Sequence, residues 1–442
     1  MRDLLVAAIV FGSLPFILKR PFIGILLLAG LGYMNPHRLC YGFMLTMPVV
    51  QIVVLFTFVG MLASKEAKQM VWSREVYVLI IFVAWMGITT TQAFFPGAAT
   101  EQYIKVIKIQ ILTFMTLVML TSRQRVHWFI WAIVLALGFY GLKGGLFTIA
   151  KGGVHRVQGP YGTFIAGNNE LALALVMTIP LMRYLHLQET RKSIKTALAG
   201  GMLLTALAAF GSQSRGALVG LALTGAMFWF KSRNKVATLI FIVTAGVAGL
   251  SIMPAEWYER MNTIKTYESD GSAMGRIIAW KVAFNIANNR VTGGGYETWH
   301  PSVFFRYGSV GNDARDVHSI YFEVLGEHGW IGLALFLTLL VMTWLKCGSI
   351  IRMAKKMPDS TWARDLAAMI QVSLVAYMSA GAFLGLAYFD YIYHLVAVVV
   401  VVHFLMKRQQ AATMPARAGP SIPIGPTGPR QTPPGLGGVR PS

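Results

Sequence analysis

The sequence predicts an all-α polytopic membrane protein with about 12 transmembrane helices, and three observations carry that prediction. Apolar runs long enough to cross a bilayer recur along nearly the whole chain. Only 13% of the residues are charged against 55% hydrophobic, where a soluble domain carries roughly 25% charged. Lysine and arginine collect in alternate loops between the runs. Most of the surface is therefore built to face lipid.

The spans fall near 46–63, 76–95, 104–121, 127–149, 169–186, 196–211, 216–230, 236–253, 318–345, 366–386 and 388–406. The region 4–34 is split by Lys19-Arg20-Pro21 into pieces each short for a full crossing. It is either one broken span or a short hairpin, and no cleavable signal peptide is evident in it, because the basic pair stands where a small-residue cleavage site belongs. The total is about 12 or 13 crossings.

Orientation follows from the basic residues of the short loops. Lys65/Lys68/Arg74, Arg123/Arg125, Arg191/Lys192/Lys195, Lys231/Arg233/Lys235 and Lys346/Arg352/Lys355/Lys356/Arg364 fall in alternate loops, which are read as cytoplasmic together with the tail after Lys407. Segments 96–102, 150–167, 212–215 and 254–317 then lie outside. The net charge of +21 is explained by these loops facing anionic headgroups and does not indicate nucleic acid. Cys40 and Cys347 fall on opposite faces in this topology, so a bridge between them is not expected.

The chain divides into an N-terminal transmembrane bundle (1–253), an outer loop domain (254–317), C-terminal helices (318–406) and a cytoplasmic tail (407–442) read as disordered from its Pro, Gly and Arg content. The outer loop is the one long hydrophilic stretch and holds seven of the 18 acidic residues. Ile277, Trp280 and Phe284 recur at helical spacing and predict an amphipathic helix over 272–289, capped by Ser272 and ended by Asn288-Asn289 and the triplet Gly293–Gly295. Trp299, Phe304, Phe305 and Tyr307 suit a loop lying at the membrane interface.

Candidate chemistry gathers at the outer ends of the spans. His318 enters a long apolar helix behind Asp316, a plausible N-cap that would place the imidazole in the first turn. The positive end of the helix dipole disfavours imidazolium there, and a neutral imidazole can accept a proton from a hydroxyl nucleophile; an interfacial histidine that merely caps or solvates is the alternative. Arg215 is pinched between two apolar runs in Gly211-Ser-Gln-Ser-Arg215-Gly, where charge is expensive and usually marks a ligand or pathway. Arg156 and Arg276 share that face, and arginines held together there suit a diphosphate, whose oxygens accept paired hydrogen bonds. Snorkelling to headgroups explains Arg156 and Arg276 equally well. Glu268-Ser-Asp270 has carboxylate spacing compatible with a divalent metal, although a solvated turn accounts for it too. No zinc-like cluster and no phosphate loop with a lysine occurs. Glu323 and Glu327 are costly within their helix; Glu323 is displaced roughly 140° from His318 and is not an obvious orienting partner. Asp390 is an open candidate.

Several of these segments resemble the O-antigen ligase and polymerase superfamily. Ser272-Ala-Met-Gly-Arg276, the stretch Val317-His318-Ser319 through Gly332, the Ser212-Gln-Ser-Arg215-Gly segment, and Arg156 with Gly159 and Asn168-Asn169 carry the resemblance. Met1-Arg-Asp and Tyr33-Met-Asn-Pro-His-Arg38 are similar to the subgroup of O-glycosylation ligases associated with exosortase systems. The resemblance implies a GT-C-type glycosyltransferase of the bacterial inner membrane. Such an enzyme takes a glycan from undecaprenyl diphosphate at the periplasmic face and joins it to a lipid A–core hydroxyl, with inversion and without a metal or other cofactor. His318 would then activate or orient the acceptor hydroxyl, and Arg215, Arg276 and Arg156 would hold the donor diphosphate. A polymerase or a protein glycan ligase of the same superfamily is the nearest alternative. A transporter or lipid flippase fits less well, with few acidic residues in the spans and no visible repeat.

Overall fold

The computed structural model describes residues 1–232, 234–262, 271–308 and 314–413. Every regular element among them is helical. Ten helices precede the outer domain: α1 (Arg2–Lys19), α2 (Pro21–Tyr33), α3 (Val49–Ala63), α4 (Arg74–Thr91), α5 (Pro96–Met119), α6 (Arg123–Ala150), α7 (Asn168–Gln188), α8 (Lys192–Gly211), α9 (Arg215–Lys231) and α10 (Lys235–Ile252). Three lie in or near the long loop, α11 (Ala255–Asn262), α12 (Gly271–Asn289) and α13 (Pro301–Gly308), and three close the bundle, α14 (Ile320–Ala354), α15 (Thr361–Ala380) and α16 (Asp390–Thr413). Nine helices among the described residues are long and apolar enough to cross a membrane, with α2 and α3 as shorter apolar helices. The chain is an all-α polytopic membrane protein.

The ambiguous N-terminus is a hairpin. Arg20 breaks the helix with φ −135° and ψ 81°, and Pro21 opens α2, where a missing N–H costs nothing. Asp3 at the start of α1 accepts backbone N–H groups from Gly42 and Met44, beyond the end of α2, at 3.0 and 3.2 Å. At the other end Phe22 N donates to Glu66. The two helices therefore run in opposite directions and pack together against α3.

Two ends of the bundle emerge. At one, Arg125 pairs with Glu66 at 2.7 Å and donates to Ala67 O, Arg123 lies 5.5 Å from the Trp362 ring, and Gln188 donates to Asp365. The basic loops meet there. At the other, Asn168 donates to Ser212 O, Val157 N to Gly211 O, and Phe94 N to Gly294 O.

Lys346 and Glu75 form an ion pair near the first end, with 13% and 5% of their side chains exposed. Removing one partner of such a pair strands a buried charge. Glu75→Ala is expected to cost about 3 kcal/mol or more in stability, and Glu75→Gln with Lys346→Met to recover most of it; thermal unfolding in detergent checks both.

Four boundaries differ from the sequence reading. Residues 96–102 are helical, because Pro96 starts α5 at its first position. The apolar run ending at 386 stops being α-helical at Ala380 and continues as a 3₁₀ turn, Gly381–Phe383. The last helix runs past 406 to Thr413, into the stretch read as tail; residues 414–442 lie outside the described residues. In the outer domain α11 and α13 are helices where a loop was read. The α12 helix is where its periodicity placed it, but its buried face is Ala279, Val282, Ala283 and Ile286, while Phe284 is 44% exposed. Small residues let α12 approach α14 closely, so the face that packs is not the one with the largest side chains. The helix begins at Gly271, one residue before the expected Ser272 cap, and the Glu268–Asp270 pair falls outside the described residues.

The glycine triplet does more than end α12. The α14 helix is interrupted at Gly329, with φ 67° and ψ −171°, and its freed carbonyls are taken by the triplet: Gly294 N donates to Gly326 O and Gly295 N to Glu327 O, both at 2.8 Å. A Cβ on Gly329 would sit 2.2 Å from Val291 O, and one on Gly293 2.7 Å from the Glu327 carbonyl. Both positions also have φ of 67°, the left-handed region that glycine enters without penalty.

Candidate active site

The second end of the bundle carries the predicted chemistry. His318 lies two residues before α14, held at φ 41°, a conformation that non-glycine residues keep only where their surroundings enforce it. This corrects the sequence reading on one point. Asp316 is not the N-cap and His318 is not in the first turn; Ser319 is the cap residue, in extended conformation. The left-handed turn at His318 takes the chain out of helical register, so the Asp316 carboxylate turns back to the imidazole, with Oδ2 3.2 Å from Nδ1. The histidine side chain is 35% exposed and Asp316 53%, with Nδ1 itself buried.

Trp280 locks this turn. Its indole N–H donates to Val317 O at 2.9 Å, its ring stacks on Phe322 at 5.0 Å, and Phe383 tilts against it at 6.4 Å. Arg276 stands one turn earlier on the same helix. Arg215 arrives from the other side as the first residue of α9, behind Ser214, whose hydroxyl accepts the Ala217 N–H at 3.3 Å. Its neighbour Gly216 is pressed against Phe383, where a Cβ would come 3.0 Å from that side chain. Phe383 and Trp280 thus link the start of α9, where Arg215 stands, to the helix of Arg276 and the turn at His318.

A residue that the sequence did not single out joins them. Glu170, in the first turn of α7, interacts electrostatically with His318, Arg276 and Asp316, and its carboxylate accepts its own backbone N–H. Gly167 makes room for it, since a Cβ there would lie 2.0 Å from Oε2. A glutamate in a first helical turn reads as an ordinary complement to the helix dipole, so no signal along the chain set it apart.

Arg156 is placed differently. It lines a cavity of about 230 Å³ with Tyr140, Lys143, Gly144 and Leu171, next to the patch rather than in it. Its loop is tied to the end of α8 by Val157 N to Gly211 O at 3.1 Å and by Gln213 to Gly153 O at 2.9 Å.

The remaining acidic candidates are pins. Glu327 accepts Tyr388 OH at 2.7 Å and Glu297 N at 3.2 Å, and Glu323 accepts Ala387 N at 3.1 Å. They fix α14 to the segment before α16. Asp390 accepts backbone N–H groups at the start of its own helix, with Oδ2 3.3 Å from a Cβ position on Gly32. Among the described residues no three His, Cys, Asp or Glu side chains are gathered as metal ligands.

Below Arg215 a second, apolar cavity of about 550 Å³ opens between α7, α8, α9 and α10. Leu218, Ala222, Gly225 and Phe228 line it along α9, and Phe210 and Trp257 near its upper part. Leu218 to Phe228 spans roughly 15 Å of helix. The length suits a hydrocarbon chain.

Fold and site together define a polytopic membrane protein with an imidazole and guanidinium groups gathered at one end. Residues 200–337 match the O-antigen ligase family, and residues 1–190 match a family of unknown function, DUF5935. No curated protein matches the chain. The match over residues 200–337 supports the O-antigen ligase and polymerase superfamily, whose members are membrane enzymes handling lipid-linked glycans. The ligase match contains Arg215, Arg276 and His318.

Proposed function

We propose that this chain transfers a glycan from undecaprenyl diphosphate to a lipid A–core hydroxyl at the periplasmic face of the bacterial inner membrane. The observation that carries the reading is the convergence of His318, Arg276 and Arg215 at the end of the bundle opposite the basic loops, which the positive-inside rule assigns to the cytoplasm. Arg215 and Arg276 grip the diphosphate, while Arg156, lining the adjoining cavity, is not assigned to it. The acceptor oxygen attacks the anomeric carbon as the bond from that carbon to the diphosphate oxygen breaks. The proton passes to His318 Nε2, while Asp316 faces Nδ1 and favours the cation that forms. The electron pair stays on the diphosphate, where two guanidinium groups stabilise it. Attack opposite the leaving group inverts the anomeric centre.

The test is reconstitution with lipid-linked glycan and lipid A–core. Transfer to the lipid A–core supports the ligase. Glycan growing on undecaprenyl diphosphate in the absence of that acceptor would instead identify a polymerase, which the superfamily match also accommodates.

The apolar cavity supports a lipid-linked donor, because it begins one turn from Arg215. Ala222→Trp fills it and is expected to raise KM for the donor about tenfold with kcat little changed, the signature of lost binding shared by ground and transition states. Steady-state kinetics with donor varied checks this.

A further inference from the structure

The N-terminal match names no activity, and the structure points to one. Lys143 and Arg156 line the cavity of about 230 Å³ described above, and Arg38 precedes Leu39 in its lining. Lys143 reaches the lining from α6 and Arg156 from the loop that follows it. The Arg38 guanidinium lies 3.9 Å from a Cβ position on Gly162, in the loop that carries Arg156. None of the three forms an ion pair among the described residues. Burial first, and Arg38 second, hold the His37 imidazole below its usual range, so at neutral pH the cavity's charge comes from these cations.

A lysine within a membrane-spanning helix is costly unless it meets an anion or reaches the headgroup layer. Lys143 stands about two turns before the end of α6 at Ala150, ~10 Å by the helical rise, which is headgroup depth. Leu39, Tyr140, Phe147, Val157 and Leu171 give the cavity apolar or aromatic walls, beside the polar Gln158. Free phosphate has no use for such walls; the glycerol and first acyl carbons of a lipid do.

We propose that the N-terminal domain carries a second anion site, in which Arg38 and Lys143, with Arg156 on the wall leading to Gly211, hold the phosphate of a membrane lipid headgroup. The lipid is distinct from the donor at His318. The site rests on the membrane reading but on no transfer activity.

The full-length protein in detergent is titrated with dihexanoyl phosphatidic acid and, separately, with inorganic phosphate, by calorimetry. The short-chain lipid is expected to bind, to weaken about tenfold or more in Arg38→Gln/Lys143→Gln, and to bind His318→Ala as it binds wild type. Lys143→Gln alone should show a smaller loss in the same direction, which guards against a folding defect in the double variant. Unchanged binding in both variants overturns the site. Inorganic phosphate binding as tightly as the lipid overturns the lipid assignment. Because transfer is not measured, failure of the ligase assay leaves this result standing.

Discussion

His318→Ala is expected to lower the glycan transfer rate by a factor of roughly 10²–10⁴, the range that a positioned general base contributes. Donor binding should be nearly unchanged. Alanine alone does not isolate the chemistry, because His318 occupies φ 41° and any β-carbon there carries strain. Asparagine tolerates the left-handed region, so His318→Asn keeps the turn and removes the base. If Asn restores the rate, the imidazole serves only to shape the turn. If both variants are equally inactive while thermal stability in Asn equals wild type, proton transfer is its role. Asp316→Asn, which leaves Nδ1 facing a neutral amide, should give a smaller loss in kcat than either.

Arg276→Ala is expected to reduce kcat by about 10²–10³, the loss seen when one donor to a developing oxyanion is removed. In the proposed reaction the charge on the diphosphate grows as the sugar leaves, so the guanidinium would matter more in the transition state than in the bound donor. Arg276→Lys keeps the charge but loses the planar fork, and should recover only part of the rate. Arg215→Ala should behave alike, and the double variant should lose less than the product of the single effects, since both arginines serve one leaving group. A product of independent effects would argue that they bind different groups. The measurement is single-turnover transfer at saturating donor.

Much of this was legible in the chain. Each of the eleven later spans overlaps an observed helix, because a stretch of apolar residues in a bilayer must satisfy its backbone internally and only a helix does so. His318 and Arg215 could be found because each marks the border between polar loop and apolar span, where an expensive side chain stands out. What the sequence hid depends on three-dimensional approach. Glu170 looks like any first-turn carboxylate until folding brings it within electrostatic reach of His318 and Arg276. Trp280 looks like one member of an apolar stripe, whereas its indole holds the backbone at Val317. The position of Arg156 in a separate cavity with Lys143 follows from the path of the loop between α6 and α7, which no spacing rule encodes.

The interruption at Gly329 has a mechanical consequence. A continuous rod from Ile320 to Ala354 would transmit every bend or tilt of its lipid-embedded half to the segment that carries His318. The break acts as an articulated joint whose upper piece is bolted to the outer domain through the glycine triplet and Glu297, and to the segment before α16 through Tyr388. Changes in bilayer thickness should therefore tilt the lower part of α14 while the reactive end keeps its alignment, and the enzyme should tolerate membranes of differing depth with little change in turnover.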